Sequence, residues 1–141
     1  MKKILLLFIL VSITLLASPQ DTEKKIYKTI LSSIFPKKST ILVWSDNPQK
    51  QKILSEIKNV KIADSEEDAD ILIINKSYDI NATNKKIFAD GYLVFKHYKD
   101  DIIGGFYWQK GRPNLIFLKK NLIDHNISLP NTLKNYIEDY D

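Results

Sequence analysis

The sequence contains no cysteine, four glycines and a single arginine, Arg112, among its 141 residues. The absence of cysteine excludes disulfide bonds and thiolate metal sites, so burial alone has to stabilise the fold. The few glycines form no phosphate-binding loop, no dinucleotide-binding pattern and no G-x-S-x-G nucleophile turn. A single arginine also argues against a nucleic-acid partner, because surfaces that bind nucleic acid commonly use clustered arginines.

Histidine is scarce as well, since His97 and His125 are the only two and lie far apart in the chain. No spacing typical of a metal site joins them, and the neighbouring carboxylates Asp100 and Asp101 are best interpreted as a charged turn. The sequence thus has neither a nucleophile motif nor a metal-ligand pattern. We therefore expect a protein that is not an enzyme, holds no metal and needs no cofactor.

The N-terminal residues have the layout of a secretory signal peptide. A pair of lysines precedes an apolar run over residues 4–16, and the small residues Ala17 and Ser18 follow it. The run is short for a membrane span, so it predicts export, with an uncleaved anchor as the alternative. We expect residues 1–18 to be the signal peptide and residues 19–141 to form a single periplasmic domain, peripheral to the membrane.

Hydrophobic patterning in the first half of the mature chain alternates between helices and strands. A helix is predicted over residues 21–34, where apolar residues recur at helical spacing. Short apolar runs predict strands over 40–44, 60–62 and 71–74, and a helix over 48–58 lies between the first two. The last run has four consecutive apolar residues, which is typical of a parallel strand buried on both faces.

The second half of the chain continues the alternation and then forms a hairpin. The predicted elements are a helix over 85–90, a strand over 92–95, hairpin strands over 102–109 and 114–118 around a turn at 110–113, and helices over 119–125 and 130–140. Together they predict an α/β protein. The predicted architecture is a Rossmann-like sandwich with a mostly parallel sheet and a C-terminal antiparallel hairpin.

The predicted hairpin carries the densest aromatic stretch, Phe106-Tyr107-Trp108. Alternation along a strand sends the middle ring to the opposite face from the other two, so we expect at least one ring in the core. If the hairpin lies at a sheet edge, an outward Tyr107 or Trp108 would anchor a protein partner, with Arg112 adding a donor at the turn. Core and partner-binding roles both stay open for these residues.

Two further candidate sites lie in predicted turns. Ser45, Asp46 and Asn47 follow the first strand, and ligands of parallel α/β sheets bind beyond the carboxyl ends of the strands. These three residues therefore predict the lining of a small-ligand cleft. Asn81 begins an Asn-Ala-Thr sequence with Asp79 two residues before it, so Asn81 is a candidate glycosylation site on an exposed loop.

Several short motifs follow one another along the chain. They are Phe35-Pro36 after the first helix, Ile41 to Val43 followed by Ser45-Asp46-Asn47-Pro48, the apolar run Ile71 to Ile74, the pair Gly104-Gly105, and Asn126-Ile127-Ser128-Leu129-Pro130 near the end. In this order they resemble the YfiR-like family of periplasmic regulators. The resemblance covers most of residues 24–138.

The resemblance implies a non-catalytic exported domain that regulates or senses for a membrane signalling protein. We therefore expect the protein to bind an inner-membrane partner of the diguanylate cyclase or histidine kinase type, with a homodimer left open. Because the chain has no cysteine, disulfide-based redox sensing is not carried over. The alternative is a periplasmic small-ligand-binding protein that uses the cleft at Ser45, Asp46 and Asn47.

Overall fold

The computed structural model describes residues 18–76 and 84–139. Within these ranges the chain forms one mostly parallel sheet with helices packed on both faces. The strands are β1 (Ile41–Ser45), β2 (Val60–Ile62), β3 (Ile71–Ile74), β4 (Lys86–Asp90), β5 (Gly104–Gln109), β6 (Arg112–Leu118) and β7 (Ile137–Glu138). The helices are α1 (Pro19–Ile34), α2 (Pro48–Ser55), α3 (Tyr92–His97), α4 (Lys119–Asp124) and a 3-10 helix (Asn131–Tyr136). This architecture confirms the predicted Rossmann-like α/β fold.

In the described part of the chain, the seven strands lie in the order β2-β1-β3-β4-β5-β6-β7. Neighbouring strands from β2 to β5 are parallel, β5 and β6 form the antiparallel hairpin, and β7 pairs parallel with β6. The chain runs from β1 to β2 on one side and then returns to the other side of β1 as β3. The connections that leave β1 and β3 therefore run in opposite directions along the sheet. Such a reversal opens a crevice at the carboxyl ends of these two neighbouring strands.

Side chains alternate between the two faces of the sheet and fill two core clusters. On β3, Ile71 and Ile73 belong to the cluster under α1, whereas Leu72 and Ile74 belong to the cluster that contains residues of α3. All four are fully buried. The unbroken apolar run therefore has the structure predicted for it, a parallel strand covered on both sides.

Helix α1 begins and packs as its sequence dictates. The side chain of Ser18 accepts the backbone N–H of Asp21 at 3.1 Å, and Pro19 occupies the first turn, where its missing N–H costs no hydrogen bond. A stripe of apolar residues, which includes Tyr27 and Leu31, is buried against the sheet. The helix thereby places its N-terminal turn at the carboxyl edge of the sheet.

Two neighbouring elements have the opposite type from the one predicted. The predicted helix over 85–90 is strand β4, and the predicted strand over 92–95 is helix α3. The core residues Ile87 to Ala89 of β4 are buried on both faces beside β3, a position that only a strand can fill. Because β4 and β5 are parallel, their connection has to cross a face of the sheet, and α3 forms that crossover.

The C-terminal elements also differ from the prediction. The predicted helix over 130–140 is replaced by the short 3-10 helix and by β7, where Ile137 pairs with Phe117 of β6 and so extends the sheet. In the hairpin, Lys110 and Gly111 have positive φ angles of 50° and 73°, which suits a two-residue turn. Strand β6 consequently begins at residue 112, earlier than predicted.

Gly104 and Gly105 open β5 at a point that has no room for a side chain. A Cβ atom on Gly104 would lie 2.5 Å from the carbonyl oxygen of Ile116, and one on Gly105 would lie 2.6 Å from the ring of Phe95. The bare backbone therefore allows β6 and α3 to approach β5 closely.

Candidate functional site

A cleft of about 340 Å³ opens at the carboxyl edge of the sheet. Asn47, Asn75 and Asp90, which follow or end β1, β3 and β4, contribute to its lining, and the first turns of α1 and α2 and the end of β5 complete its walls. Its position matches the crevice that the strand order predicts at the carboxyl ends of β1 and β3, where the chain leaves the two strands in opposite directions. Its volume lies at the small end of the range of roughly 300–1,000 Å³ that is usual for small-molecule sites.

Asp46 joins the ends of β1 and β3 beside the cleft. Its carboxylate accepts the backbone N–H groups of Asn75 at 2.7 Å and of Lys76 at 2.9 Å. The side-chain amide of Asn75 in turn donates to the backbone carbonyl oxygen of Asp90 at 2.7 Å and to its Oδ2 at 3.3 Å. A chain of hydrogen bonds therefore fixes the ends of three neighbouring strands.

The other two residues of the turn after β1 have different positions. Ser45 is buried, and its hydroxyl accepts the N–H of Asn47 at 3.3 Å. Asn47 caps α2 by accepting the N–H of Gln49 at 3.0 Å, and it lies in the cleft wall. Of the three residues predicted to line a cleft, Asn47 does so, whereas Ser45 and Asp46 hold the turn that positions it.

The floor of the cleft contains a buried lysine, Lys50, with 4% of its surface exposed. Its Nζ forms ion pairs with Glu23 of α1 and with Oδ1 of Asp90, the latter at 3.2 Å. Tyr27 donates its hydroxyl to the same Asp90 oxygen at 2.5 Å, and the centroid of its ring lies 5.0 Å from Nζ. Buried charges persist where they are paired in this way, so the network couples α1, α2 and β4.

Burial dominates the ionisation of the two acidic groups in this network. It raises the pKa of Asp90, although the charge of Lys50 and the hydrogen bond from Tyr27 oppose the rise. Burial also raises the pKa of Tyr27 well above its ordinary value, and the neighbouring Asp90 carboxylate adds to that shift. Tyr27 is therefore a neutral hydrogen-bond donor at physiological pH, and Lys50 helps Asp90 to carry a charge.

Four aromatic side chains line the cleft, and we call the three that are at least partly exposed, Tyr92, Tyr107 and Trp108, the aromatic lip. Trp108 is 36% exposed and donates its Nε1–H to Oε1 of Glu23 at 2.6 Å. The rings of Tyr92 and Tyr107 meet edge to face with their centroids 5.2 Å apart. Phe106, the third aromatic residue of the stretch in β5, is buried in the core.

The structure separates the residues that were predicted to bind a partner. Tyr107 and Trp108 lie in the aromatic lip and line the same cleft as Asn47. Arg112 is exposed at the start of β6 and does not line the cleft. The glycosylation candidate Asn81 lies outside the described residues, and so do residues 1–17 of the predicted signal peptide.

The charged residues of the cleft, Glu23, Lys50 and Asp90, were not predicted as site residues from the sequence. A signal was present for the first two, because Glu23 precedes Ile26 and Lys50 precedes Ile53 by one helical turn, on the inward faces of their helices. Charged residues are rarely buried unless they are paired. Opposite charges on the inward faces of two helices therefore indicate a buried ion pair between them.

Within residues 18–76 and 84–139, no three His, Asp or Glu side chains come together in a way that would hold a metal ion. No helix in the same ranges has the length and apolarity needed to cross a membrane.

Comparisons of the chain with protein-family models, with curated proteins and with solved structures gave no match. The geometry of the cleft is therefore the basis for assigning a function.

Proposed function

We propose that this protein binds a small ligand in the cleft at the carboxyl edge of its sheet. The observation that carries the proposal is the buried network of Lys50, Glu23 and Asp90 in the cleft floor. A buried ion pair adds little net stability compared with apolar packing of the same volume. Its presence in the floor of an open cleft, at the strand reversal, supports a role in recognition.

The proposed activity is binding without turnover. The polar groups of the floor already hold one another, since Lys50 is engaged by two carboxylates and Tyr27 donates to Asp90. The hydroxyl of Ser45 is buried and accepts a backbone N–H. Each of these groups is therefore engaged by another protein group, and none of them is placed to act alone as a nucleophile or as a general acid or base. Incubation of the purified protein with ester and phosphate substrates should give no product. A rate of product formation that rises in proportion to the protein concentration would refute the proposal of binding without catalysis.

A thermal-shift screen of small metabolites tests the binding proposal. A ligand present at 100 times its Kd should stabilise the full chain by about 2.7 kcal/mol, which corresponds to a rise in Tm of roughly 10 °C. The variant Tyr92→Ser should weaken this response, because Tyr92 belongs to the aromatic lip. Tyr136→Ser is the matched control, since the two tyrosines are 49% and 45% exposed and Tyr136 does not line the cleft. The proposal would be contradicted if no compound in the screen raised the Tm, or if Tyr92→Ser left the rise in Tm as large as in the native chain.

A second proposal is that the protein regulates an inner-membrane signalling protein of the diguanylate cyclase or histidine kinase type in the periplasm. The observation that favours it is exposed apolar surface next to the cleft: Leu93 of α3 is 76% exposed and adjoins Tyr92 of the aromatic lip. Exposed apolar side chains beside a ligand cleft would let ligand occupancy alter a protein interface. The periplasmic location rests on the layout of residues 1–18.

Site-specific crosslinking in cells tests the regulatory proposal. A photo-reactive residue in place of Leu93 should crosslink to an inner-membrane kinase or cyclase, whereas the same residue in place of Ile123 should not. Ile123 is a matched control, because it is 63% exposed on α4. Equal crosslinking from both positions would contradict the proposal. Sequencing of the N-terminus tests export, and a full-length chain in the soluble cytosol would refute it.

A further inference from the structure

The formal charges on the cleft lining are paired within the protein. Lys50 bridges Glu23 and Asp90, and apart from the tyrosines these are the ionisable side chains of the lining. An anion would have to approach two carboxylates, and a cation would have to approach the ammonium group of Lys50. The two carboxylates and Lys50 leave one net negative charge, which disfavours an anion. Each carboxylate oxygen already has a partner in Lys50, Trp108, Tyr27 or Asn75, so none is free to hold a cation, and the cleft favours an uncharged ligand.

The lining also contains four side-chain amides, a group that both donates and accepts hydrogen bonds, although the amide NH2 of Asn75 is engaged by Asp90 and the amide oxygen of Asn47 by the cap of α2. They are Gln20, Asn47, Gln49 and Asn75. A ligand hydroxyl has the same dual character, so amides match hydroxyl groups without requiring a charge. Amide groups around a floor whose charged groups are engaged with one another therefore suit a ligand that carries several hydroxyl groups.

The aromatic lip adds flat apolar surface to this polar lining. The indole of Trp108 is held through its N–H by Glu23, which fixes the orientation of the ring, and Tyr92 and Tyr107 support each other edge to face. A saccharide ring has hydroxyl groups around its rim and C–H groups on its faces. One of these faces can stack on an aromatic ring while the rim meets the amides.

We propose that the cleft binds a neutral saccharide of one or two rings, an inference that rests on the proposed ligand-binding function. The volume of about 340 Å³ sets the limit on ligand size, because it lies at the small end of the range for ligand sites. The proposal names a chemical class, since the lining does not distinguish one neutral sugar from another.

Tryptophan fluorescence gives a direct test, because the chain has two tryptophans and one of them is in the lip. Trp44 lies on β1 and packs against the cluster on the opposite face from α1, so Trp44→Phe leaves Trp108 as the sole reporter. The full chain with this change is titrated with glucose, galactose and maltose, and in parallel with choline as a cation and inorganic phosphate as an anion. At least one sugar should change the Trp108 emission saturably, and choline and phosphate should leave it unchanged.

Variants of the native chain isolate the contribution of the aromatic ring at position 108. Trp108→Leu should weaken sugar binding, measured by calorimetry, by roughly two- to tenfold, which is the effect of losing one aromatic contact. Trp108→Phe keeps a ring and should lose less, whereas Tyr136→Leu, outside the cleft, should bind as the native chain does.

The two proposals fail in different ways. Saturable binding of choline or phosphate, reported by Trp108 while every sugar is silent, would overturn the saccharide assignment and leave the ligand-binding function standing. Sugar binding that Trp108→Leu does not weaken would place the sugar elsewhere and overturn the assignment as well. If the sugars, the ions and a broad metabolite screen all fail to bind, both proposals are refuted.

Discussion

Replacement of Lys50 by methionine should destabilise the protein more than any other conservative change in α2. The variant Lys50→Met keeps most of the length of the side chain and removes its charge, which leaves Glu23 and Asp90 buried without a cation. Their side chains are 14% and 8% exposed, so water cannot replace the lost partner fully. Removing one member of a buried ion pair costs about 3–5 kcal/mol.

The lower end of that range is expected here, because each carboxylate keeps a hydrogen-bond donor. Trp108 still donates to Glu23, and Tyr27 and Asn75 still donate to Asp90. We therefore expect a loss of about 3 kcal/mol at pH 7 from a total stability on the order of 5–15 kcal/mol. Urea denaturation of the variant and the native chain measures the difference.

The penalty should depend on pH with a definite sign. A carboxyl group whose pKa is raised in the folded state favours folding fully below its unfolded pKa, and this contribution is lost as the pH rises through the folded-state pKa. Burial already raises the pKa of Asp90, and removal of the Lys50 charge, which opposes that rise, should raise it further. The difference between native chain and variant should accordingly be largest at pH 7 and shrink toward pH 4.

Lys52→Met is the matched control, because Lys52 is exposed on the same helix and should change stability by less than about 0.5 kcal/mol. The double variant Lys50→Met/Asp90→Asn should recover part of the loss, since it removes one of the two uncompensated charges. A loss below about 1 kcal/mol for Lys50→Met at pH 7, or a loss of the same size at pH 4, would show that Lys50 does not compensate buried carboxylate charge.

Three further predictions concern stability. Burial pushes the pKa of Asp70 upward, but hydrogen bonds from Lys38 at 2.7 Å and from a backbone N–H outweigh it and hold the pKa below its ordinary value, so this carboxylate stabilises the fold above its unfolded pKa. The native chain should lose stability as the pH falls through the lowered pKa of Asp70, and Asp70→Asn should lack this part of the decrease in Tm. Parallel plots of Tm against pH for the two proteins would contradict this. Gly104→Ala should cost about 1–3 kcal/mol in urea denaturation, because its Cβ would meet a backbone oxygen at 2.5 Å, and a neutral result would show that β6 can shift. Asn121→Ala should cost about 1–3 kcal/mol in the same assay, because the carbonyl oxygen of Ile102 loses a donor at 2.6 Å, and no loss would mean that water replaces the amide.

The fold was predictable where the local pattern and the tertiary environment agree. The four consecutive apolar residues of β3 are all buried only if the strand lies in a sheet covered on both faces. The apolar residues of α1 are buried together only if the segment forms a helix that packs on that sheet. Residues 85–97 were not predictable in the same way, because a short apolar run beside lysines suits either a strand or a helix. The parallel pairing of β4 with β5 decides their structure, and that pairing is a property of the whole sheet.

The candidate site was predictable only in its location. The position of Asn47 after the first strand follows from the general geometry of parallel sheets, which places ligand clefts at the carboxyl edge. The contacts of Asp46 and Ser45 with neighbouring backbone were not accessible, because they depend on how β1 and β3 end relative to each other. Lys50 could have been noticed on an inward helical face, but its partners come from elements distant in the sequence.

The floor and the lip of the cleft share one acceptor, the carboxylate of Glu23. Its Oε2 receives the ammonium group of Lys50, and its Oε1 receives the indole N–H of Trp108 at 2.6 Å. A contact that moves the Trp108 ring therefore changes the hydrogen bonding of Glu23, and through it the charge balance around Lys50 and Asp90. Because Glu23 belongs to α1, Lys50 to α2, Asp90 to β4 and Trp108 to β5, a ligand that displaced the Trp108 ring would perturb contacts of all four elements. A ligand that stacks on Trp108, as proposed above, would thus act on α1 through Glu23.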